Sequence, residues 1–253
     1  MTMTASPSIL QAAAALAQSH HAPYDPSHDF HHVHRVRLQS LRLARSLSPT
    51  PDLLVVELAA LFHDLVDAKY LRLEPGQKPP SARDRLEPFW AGFGDDVISD
   101  AQRRLVERVV DNVSYSKEVK RIKAGEETDW HRECPELHCV QDADKLDAIG
   151  AFGILRCAAY SGASSVPLFV PPSPSPLSPS PSSLTAASGA RAPAKSSAID
   201  HFHEKLLKLE GMMKTPLGRT MAQKRTAMMS EFVGEVEREW AEITDEEVKV
   251  AEQ

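Results

Sequence analysis

"LFHDLVDAKY", residues 61–70, is the stretch on which the reading of this chain turns. It closes an apolar run whose start is marked by Thr50-Pro51-Asp52, where a hydroxyl cap, a proline at the first helical position and an early acid favour helix initiation. The expectation is a helix from residue 50 through His63-Asp64 to about residue 67. Neighbouring helical residues diverge by about 100°, so His63 and Asp64 reach one ion only if it sits over the helix edge near its end. Other helices must then supply the remaining donors. "HVHRV" offers His32 and "VQDADKLDAIGA" offers Asp144.

Outward from there the periodicity is helical, and no segment alternates apolar and polar residues long enough to suggest a sheet. The fold class is all-α. A first helix is expected over 9–19 and a second over 28–46, with Val33, Val36, Ser40, Leu43, Ala44 and Leu47 as its buried stripe. Further helices are expected over 81–93, opened by Ser-x-x-Asp as a weak capping box, and over 101–113. The segment 142–159, with Leu146, Ile149, Phe152, Ile154 and Leu155 spaced for burial, reads as a central helix carrying Asp144. Residues 199–213 and 216–239 complete the bundle. Between these helices, 167–194 is rich in proline and serine and too poor in apolar residues to offset its ordering entropy, so a mobile inserted loop is expected. The domain plan is a lead-in at 1–25, one domain over 26–243 interrupted by that loop, and a tail at 244–253.

A net charge of -6 without a long basic stripe argues against a nucleic-acid surface. Three cysteines, with Cys134 and Cys139 spaced Cys-x4-Cys and no second pair, read as reduced thiols rather than a disulfide frame or zinc knuckle. The apolar stretch 9–17 has no Lys or Arg before it, and Glu57 interrupts the longest apolar run, so neither export nor a membrane span is expected. A cytoplasmic protein follows, with subunit pairing left open.

Imidazole and carboxylate together suit a divalent Mn, Co, Ni, Fe or Zn better than an all-oxygen or all-thiolate cage does. Positions left open for water make such a site hydrolytic, since bound water acidifies toward a pKa of ~7 while the ion polarises a phosphoryl oxygen. Asp67, four residues after His63, shares its face and is the expected water-orienting base. Lys69, Lys145, Lys205, Lys214 and Arg225 are candidate cations for a polyanionic substrate, and Lys145 leads because it adjoins Asp144. The pattern favours Asp144 over Asp142 as ligand, and Asp147 reads as a supporting acid or a cap. His28, one turn before His32, has a claim to face the site, whereas most of His20, His21, His31 and His34 read as exposed. His131 and His138 in "DWHRECPELHC" read as part of a polar loop, and Met212, Met213, Met228 and Met229 as packing.

These pieces resemble the HD-domain superfamily of metal-dependent phosphohydrolases, whose His, His-Asp and later Asp pattern matches His32, His63, Asp64 and Asp144. "SHDFHHVHRV", "DNVSYSKE", "QDADKLDAIGAFGILR" and "HFHEKLLKLEGMMKT" bring the likeness closer to the small bacterial and fungal HD hydrolases, some of which release pyrophosphate from nucleoside triphosphates with manganese. The likeness spans residues 26–231 apart from the insert. It implies an all-helical HD bundle, a divalent metal with Mn first and Mg admissible, and those four residues as ligands. It also implies Asp67 and Lys145 as catalytic groups and His28, Lys69, Asn112, Ser114, Lys145, His201 and Lys205 as substrate contacts. The leading expectation is cleavage of a nucleoside triphosphate to monophosphate and pyrophosphate. Its rivals are a nucleoside 5′-monophosphatase, a di-iron oxygenase that recruits His131 or His138, and an idle nucleotide-binding protein.

Overall fold

The computed structural model describes residues 8–67, 78–171 and 197–251, with side chains to residue 244. Among them the protein is all-α, with no strand. The chain groups into two compact units: one of Met1–Tyr24, His28–Asp147 and Met212–Met221, the other of Asp25–Ser27, Ala148–Gly211 and Ala222–Gln253.

In the first unit, α1 (Ile9–His21) starts at a full capping box of Ser8 and Gln11, and α2 (Phe30–Arg45) starts where the Asp29 carboxylate accepts the His32 amide. Val33, Val36, Ser40, Leu43 and Ala44 of the expected stripe are all buried. The next helix, α3 (Leu53–Phe62), is shorter than the 50–67 expected from sequence. Its cap is Asp52, not Thr50, because the Asp52 carboxylate takes the Leu54 and Val55 amides. It ends at Phe62, with His63 as the C-cap, and the chain then closes tight turns from Leu65 to Phe62 and from Asp67 to Asp64.

Val55, Val56 and every residue from Leu58 to Phe62 are buried, so α3 is buried on nearly all sides. Each such Leu, Val or Phe contributes about 1.5–3 kcal/mol of burial. α4 (Ala82–Trp90) opens with the expected Ser81–Asp84 box, and α5 (Asp100–Asn112) with another, Ser99–Gln102. α6 (Tyr115–Ala124) stops at Gly125, whose φ of 67° suits a left-handed cap.

The stretch expected to be a polar loop is instead helical: α7 (Asp129–Glu133) carries His131, and α8 (Pro135–Asp147) carries His138 and Cys139. Thr128 caps α7 by pairing with the His131 ring, and Pro135 sits at a first helical position. α8 packs against α2 and α3, and that pairing holds the site. The single helix expected over 142–159 is two, since α8 ends at Asp147 and α9 (Gly150–Ala163) begins with Gly150 at φ 77°. Phe152 and Leu155, expected to be buried, are 51% and 66% exposed.

In the second unit, α9 is followed by α10 (Ala198–Glu204), capped by Ser197 and Asp200, and a 3-10 turn over Leu206–Met212 leads on to α11 (Pro216–Ala251), of which the part from Ala222 onward belongs to this unit. That last helix runs into the expected tail. The Gly150 amide meets the Met229 sulfur at 2.9 Å, and Met229 is fully buried, so this methionine is packing as read from the sequence. Of the Pro/Ser-rich insert, 172–194 lies outside the described residues, as does Lys69. Its start is tied down, because the Pro167 and Leu168 carbonyls accept the Ala198 and Ile199 amides. Among the described residues no helix is long and apolar enough to cross a membrane. All three cysteines are free and buried, and burial pushes the Cys139 thiol up to about 12, which keeps it unreactive.

Candidate metal centre

Three helices of the first unit bring His32, His63 and Asp144 together, one donor atom of each lying within 4.8 Å of the others. Asp64 joins them, with Oδ2 3.2 Å from His63 Nε2 and 3.6 Å from His32 Nε2. Asp144 Oδ1 is 3.6 Å from His32 Nε2 and 3.9 Å from His63 Nε2. Both histidines are buried, while Asp64 and Asp144 are 13% and 26% exposed, so the carboxylates form the open side. The end of α3 at Phe62 makes this meeting possible: His63, as C-cap, still has helical dihedrals, and the tight turns that follow hold Asp64 with its carboxylate beside the His63 ring.

Each imidazole is aimed by its other nitrogen. His32 Nδ1 donates to Asp147 Oδ2 at 2.7 Å, and Arg35 grips both oxygens of that carboxylate at 2.8 and 3.0 Å. His63 Nδ1 donates to the Ala60 carbonyl at 2.9 Å. With both Nδ1 atoms committed, the two Nε2 atoms face each other at 3.2 Å, where their lone pairs repel unless a proton or cation lies between them. Two imidazole nitrogens and two carboxylates around an open side fit a divalent cation of intermediate hardness.

Burial alone would push the His63 pKa down, but the charge and hydrogen bond of Asp64, helped by the charge of Asp144, lift it to about 9. Burial would raise the Asp64 carboxyl, yet the two histidines hold it well below the usual range. The cation must therefore displace a proton from His63 at neutral pH. We expect ion loading to release about one proton at pH 7 and affinity to rise about tenfold per pH unit, flattening near pH 9. Calorimetric titration of zinc in buffers of different ionisation enthalpy checks this; a proton count near zero at pH 7 would contradict it.

Asp67, half-buried, accepts from Ser114 Oγ at 3.4 Å. The His28 ring lies 6.1 Å from the His32 ring, edge to face. Asn112 Oδ1 accepts from Arg121 and from His131 Nε2, both at 3.1 Å, and its amide donates to the Arg108 carbonyl, so both ends of its side chain have protein partners. Lys145, 3% exposed, turns to Glu118 at 2.7 Å. Asp142 is fully buried and holds no open coordination position: it accepts the Lys214 and Thr215 amides and the Thr215 hydroxyl. His131 and His138 are outside the cluster, His131 bonded to Thr128 and Asn112, and His138 to the His131 carbonyl. His201 lies on α10 and Lys205 at its C-cap, both in the second unit.

His31 and His34 are exposed as expected, but His20 is half-buried and His21 is buried, against the expectation for that group. Asp147, left open between support and cap, is the acid that aims His32. The Arg35 contact was legible, since His-x-x-Arg puts both residues on one helix face. Glu118 was missed altogether: its carboxylate, 1% exposed, meets Lys145 at 2.7 Å and Lys214 at 2.5 Å. Its one signal is that an acid interrupts the basic run Lys117, Lys120, Arg121 and Lys123.

Known proteins resemble this chain over most of its length. The HD domain family model matches residues 29–149. YpgQ of Bacillus subtilis, an uncharacterized protein, is 31% identical over 215 residues, covering 84% of each chain. The crystal structure of Bacillus subtilis YpgQ in complex with ADP superposes with a TM-score of 0.62 at 26% identity, covering 91% of this chain and 97% of that one. A structure from Lactobacillus plantarum gives 0.64 at 27% identity, covering 94% and 99%. An HD-superfamily hydrolase from Bacillus thuringiensis, at 22% identity and a TM-score of 0.61 over 92% and 96% of the two chains, shares the fold.

Proposed function

The chain belongs to the HD-domain superfamily of metal-dependent phosphohydrolases, and from that premise we propose that it hydrolyses nucleoside triphosphates to monophosphate and pyrophosphate. The observation that carries the hydrolytic reading is the convergence of two aimed imidazoles and two partly exposed carboxylates on one point. The nucleotide rests on the ADP complex of the Bacillus subtilis relative.

In this reading His32, His63, Asp64 and Asp144 hold a divalent cation, manganese first. When bound, such a cation acidifies water and draws charge from a phosphoryl oxygen. Asp67 accepts one hydrogen of the attacking water, and the Ser114 hydroxyl keeps that carboxylate turned. His28, beside His32 and half-buried, contacts the substrate. Lys69, His201 and Lys205 are further substrate contacts in the proposal. Lys145 and Asn112, each already engaged inside the protein, act through the field and shape of the wall behind Asp144.

The test is a panel of nucleoside mono-, di- and triphosphates with Mn, Co and Mg, scored separately for pyrophosphate and orthophosphate. Pyrophosphate in step with monophosphate is expected from triphosphates. Orthophosphate alone, released from monophosphates, would replace this reading with a 5′-monophosphatase.

A further inference from the structure

Beside the metal centre, within the first unit, stands a wall of charge whose cations outnumber its acids. Lys145, Lys214 and Arg121 are the cations, and Glu118 is paired with both ammonium groups, at 2.7 Å from Lys145 Nζ and 2.5 Å from Lys214 Nζ. The second acid, Asp142, spends its oxygens on the Lys214 and Thr215 amides and the Thr215 hydroxyl. Arg121 is bonded to neither acid: its Nη1 donates to the neutral Asn112 oxygen at 3.1 Å, and its Nε and Nη2 are buried without a hydrogen-bond partner. An excess of desolvated cations is costly to fold and draws an anion.

Printed contacts join this wall to the centre on two sides. On α8, Lys145 directly follows Asp144, and Gln141 lies three residues before it, on a neighbouring face and ~4.5 Å along the axis. Gln141 Oε1 accepts from Lys214 Nζ. From the same side chain, Nε2 donates to the Asn112 carbonyl at 3.0 Å, and two residues on, Ser114 Oγ bonds Asp67 at 3.4 Å. The three cations differ in access. Lys145 and Arg121 are 3% and 9% exposed and act through their charge, whereas the Lys214 side chain is 20% exposed. An ammonium has three hydrogens; Lys214 donates one to Gln141 and faces Glu118, which leaves a hydrogen for a ligand. Asp142 clamps the Lys214 amide with both oxygens at 3.0 Å, so this side chain starts from a fixed point.

We propose that Lys214 is the polyphosphate contact of this site, holding the two terminal phosphates of the substrate, the pair that leaves as pyrophosphate; this rests on the hydrolytic reading above. A single phosphate is spent at the metal centre. A phosphate chain extends past Asp144 along the Gln141 side of α8, where the Lys214 ammonium meets it and Lys145 and Arg121 add their field. Lys214 therefore selects for chain length, whatever the base or sugar.

Two substitutions separate this role from a structural one. Lys214→Met keeps the apolar stem, removes the charge and leaves Glu118 paired with Lys145; Lys214→Arg keeps a cation. Calorimetric titration of the full chain in saturating manganese, with inorganic pyrophosphate and separately with orthophosphate, reads the contact without turnover. We expect Lys214→Met to weaken pyrophosphate binding about 10–100-fold and orthophosphate binding by less than about threefold, and Lys214→Arg to recover most of the loss. KM for nucleoside triphosphates should rise with the pyrophosphate dissociation constant. Unchanged pyrophosphate affinity in Lys214→Met, equal losses for both anions, or no recovery in Lys214→Arg would overturn the proposal. Lys214→Gln carries the same expectations where thermal melts show that Lys214→Met does not fold. If wild-type protein cleaves no nucleotide, the nucleotide reading falls, while the two anion titrations still decide Lys214.

Discussion

Asp64→Ala is expected to abolish ion binding and to lower turnover by at least about a thousandfold, some 4 kcal/mol of barrier. Asp64 Oδ2 is the carboxylate oxygen nearer to His63 Nε2, at 3.2 Å against 3.9 Å for Asp144 Oδ1, and it also reaches His32. Its loss removes a donor and the charge that keeps His63 protonated. A second effect follows from the linkage. The folded-state pKa of His63, about 9, lies above its ordinary value near 6.5, so in the protein without a cation this group adds stability below about pH 6.5 and loses it as pH rises through 9. Asp64→Ala should erase that pH-dependent share and flatten the pH dependence of any residual zinc affinity between pH 7 and 9. Added manganese should raise the melting temperature of wild type, by mass action on the folded state, and leave that of the variant where it was. Elemental analysis, nucleotide turnover and thermal melts check these outcomes, and full ion content in Asp64→Ala would remove the proposed ligand set.

Glu118→Gln is the largest expected effect on stability, about 3–5 kcal/mol lost. The carboxylate is buried between two ammonium groups, with Lys145 Nζ at 2.7 Å and Lys214 Nζ at 2.5 Å, and Lys145 is only 3% exposed. Neutralising it leaves two like charges facing each other in a poor dielectric, near an Arg121 whose Nε and Nη2 are already buried without partners. The contacts are ionic rather than well-directed hydrogen bonds, so the charge itself is what the amide fails to replace. Burial would raise the Glu118 pKa, but Lys145 and Lys214 hold it below the ordinary range. A depressed acid contributes its stability above the unfolded pKa, about 4.3, and loses it as pH falls through the lower folded value. Denaturant unfolding at pH 7 should therefore show the full deficit, shrinking in strong acid. Combining Glu118→Gln with Lys145→Met should recover part of the loss; an unchanged midpoint in the single variant would contradict the ionic account.

How far the chain could be read in advance varied with the kind of physics involved. The helix starts at Ser81 and on α2, and the buried stripe from Val33 to Ala44, were legible because caps and periodicity are local. The convergence of His32, His63 and Asp144 was legible because helix register sets the faces of His32 and Asp144 and the apolar run fixes where His63 falls. What was not legible depends on partners far along the chain. Asp142 looked like a spare ligand and is an anchor for Lys214 and Thr215, more than seventy residues away. The break after Asp147 turns on Gly150 adopting φ 77°, which the apolar spacing on either side does not announce. His131 and His138 read as loop residues because the polar stretch masks the short helix that Thr128 caps through the His131 ring.

Three acids of α8 perform three separate jobs within six residues: Asp142 fastens a distant backbone, Asp144 faces the cluster and Asp147 steers His32. Their division of labour is set only by angle around one helical axis, at about 100° per residue. Losing or gaining a single residue between Asp142 and Asp147 would thus rotate the downstream acids away from their duties while keeping the composition intact. Evolution can trade side chains in this segment one at a time, but it cannot change the segment's length.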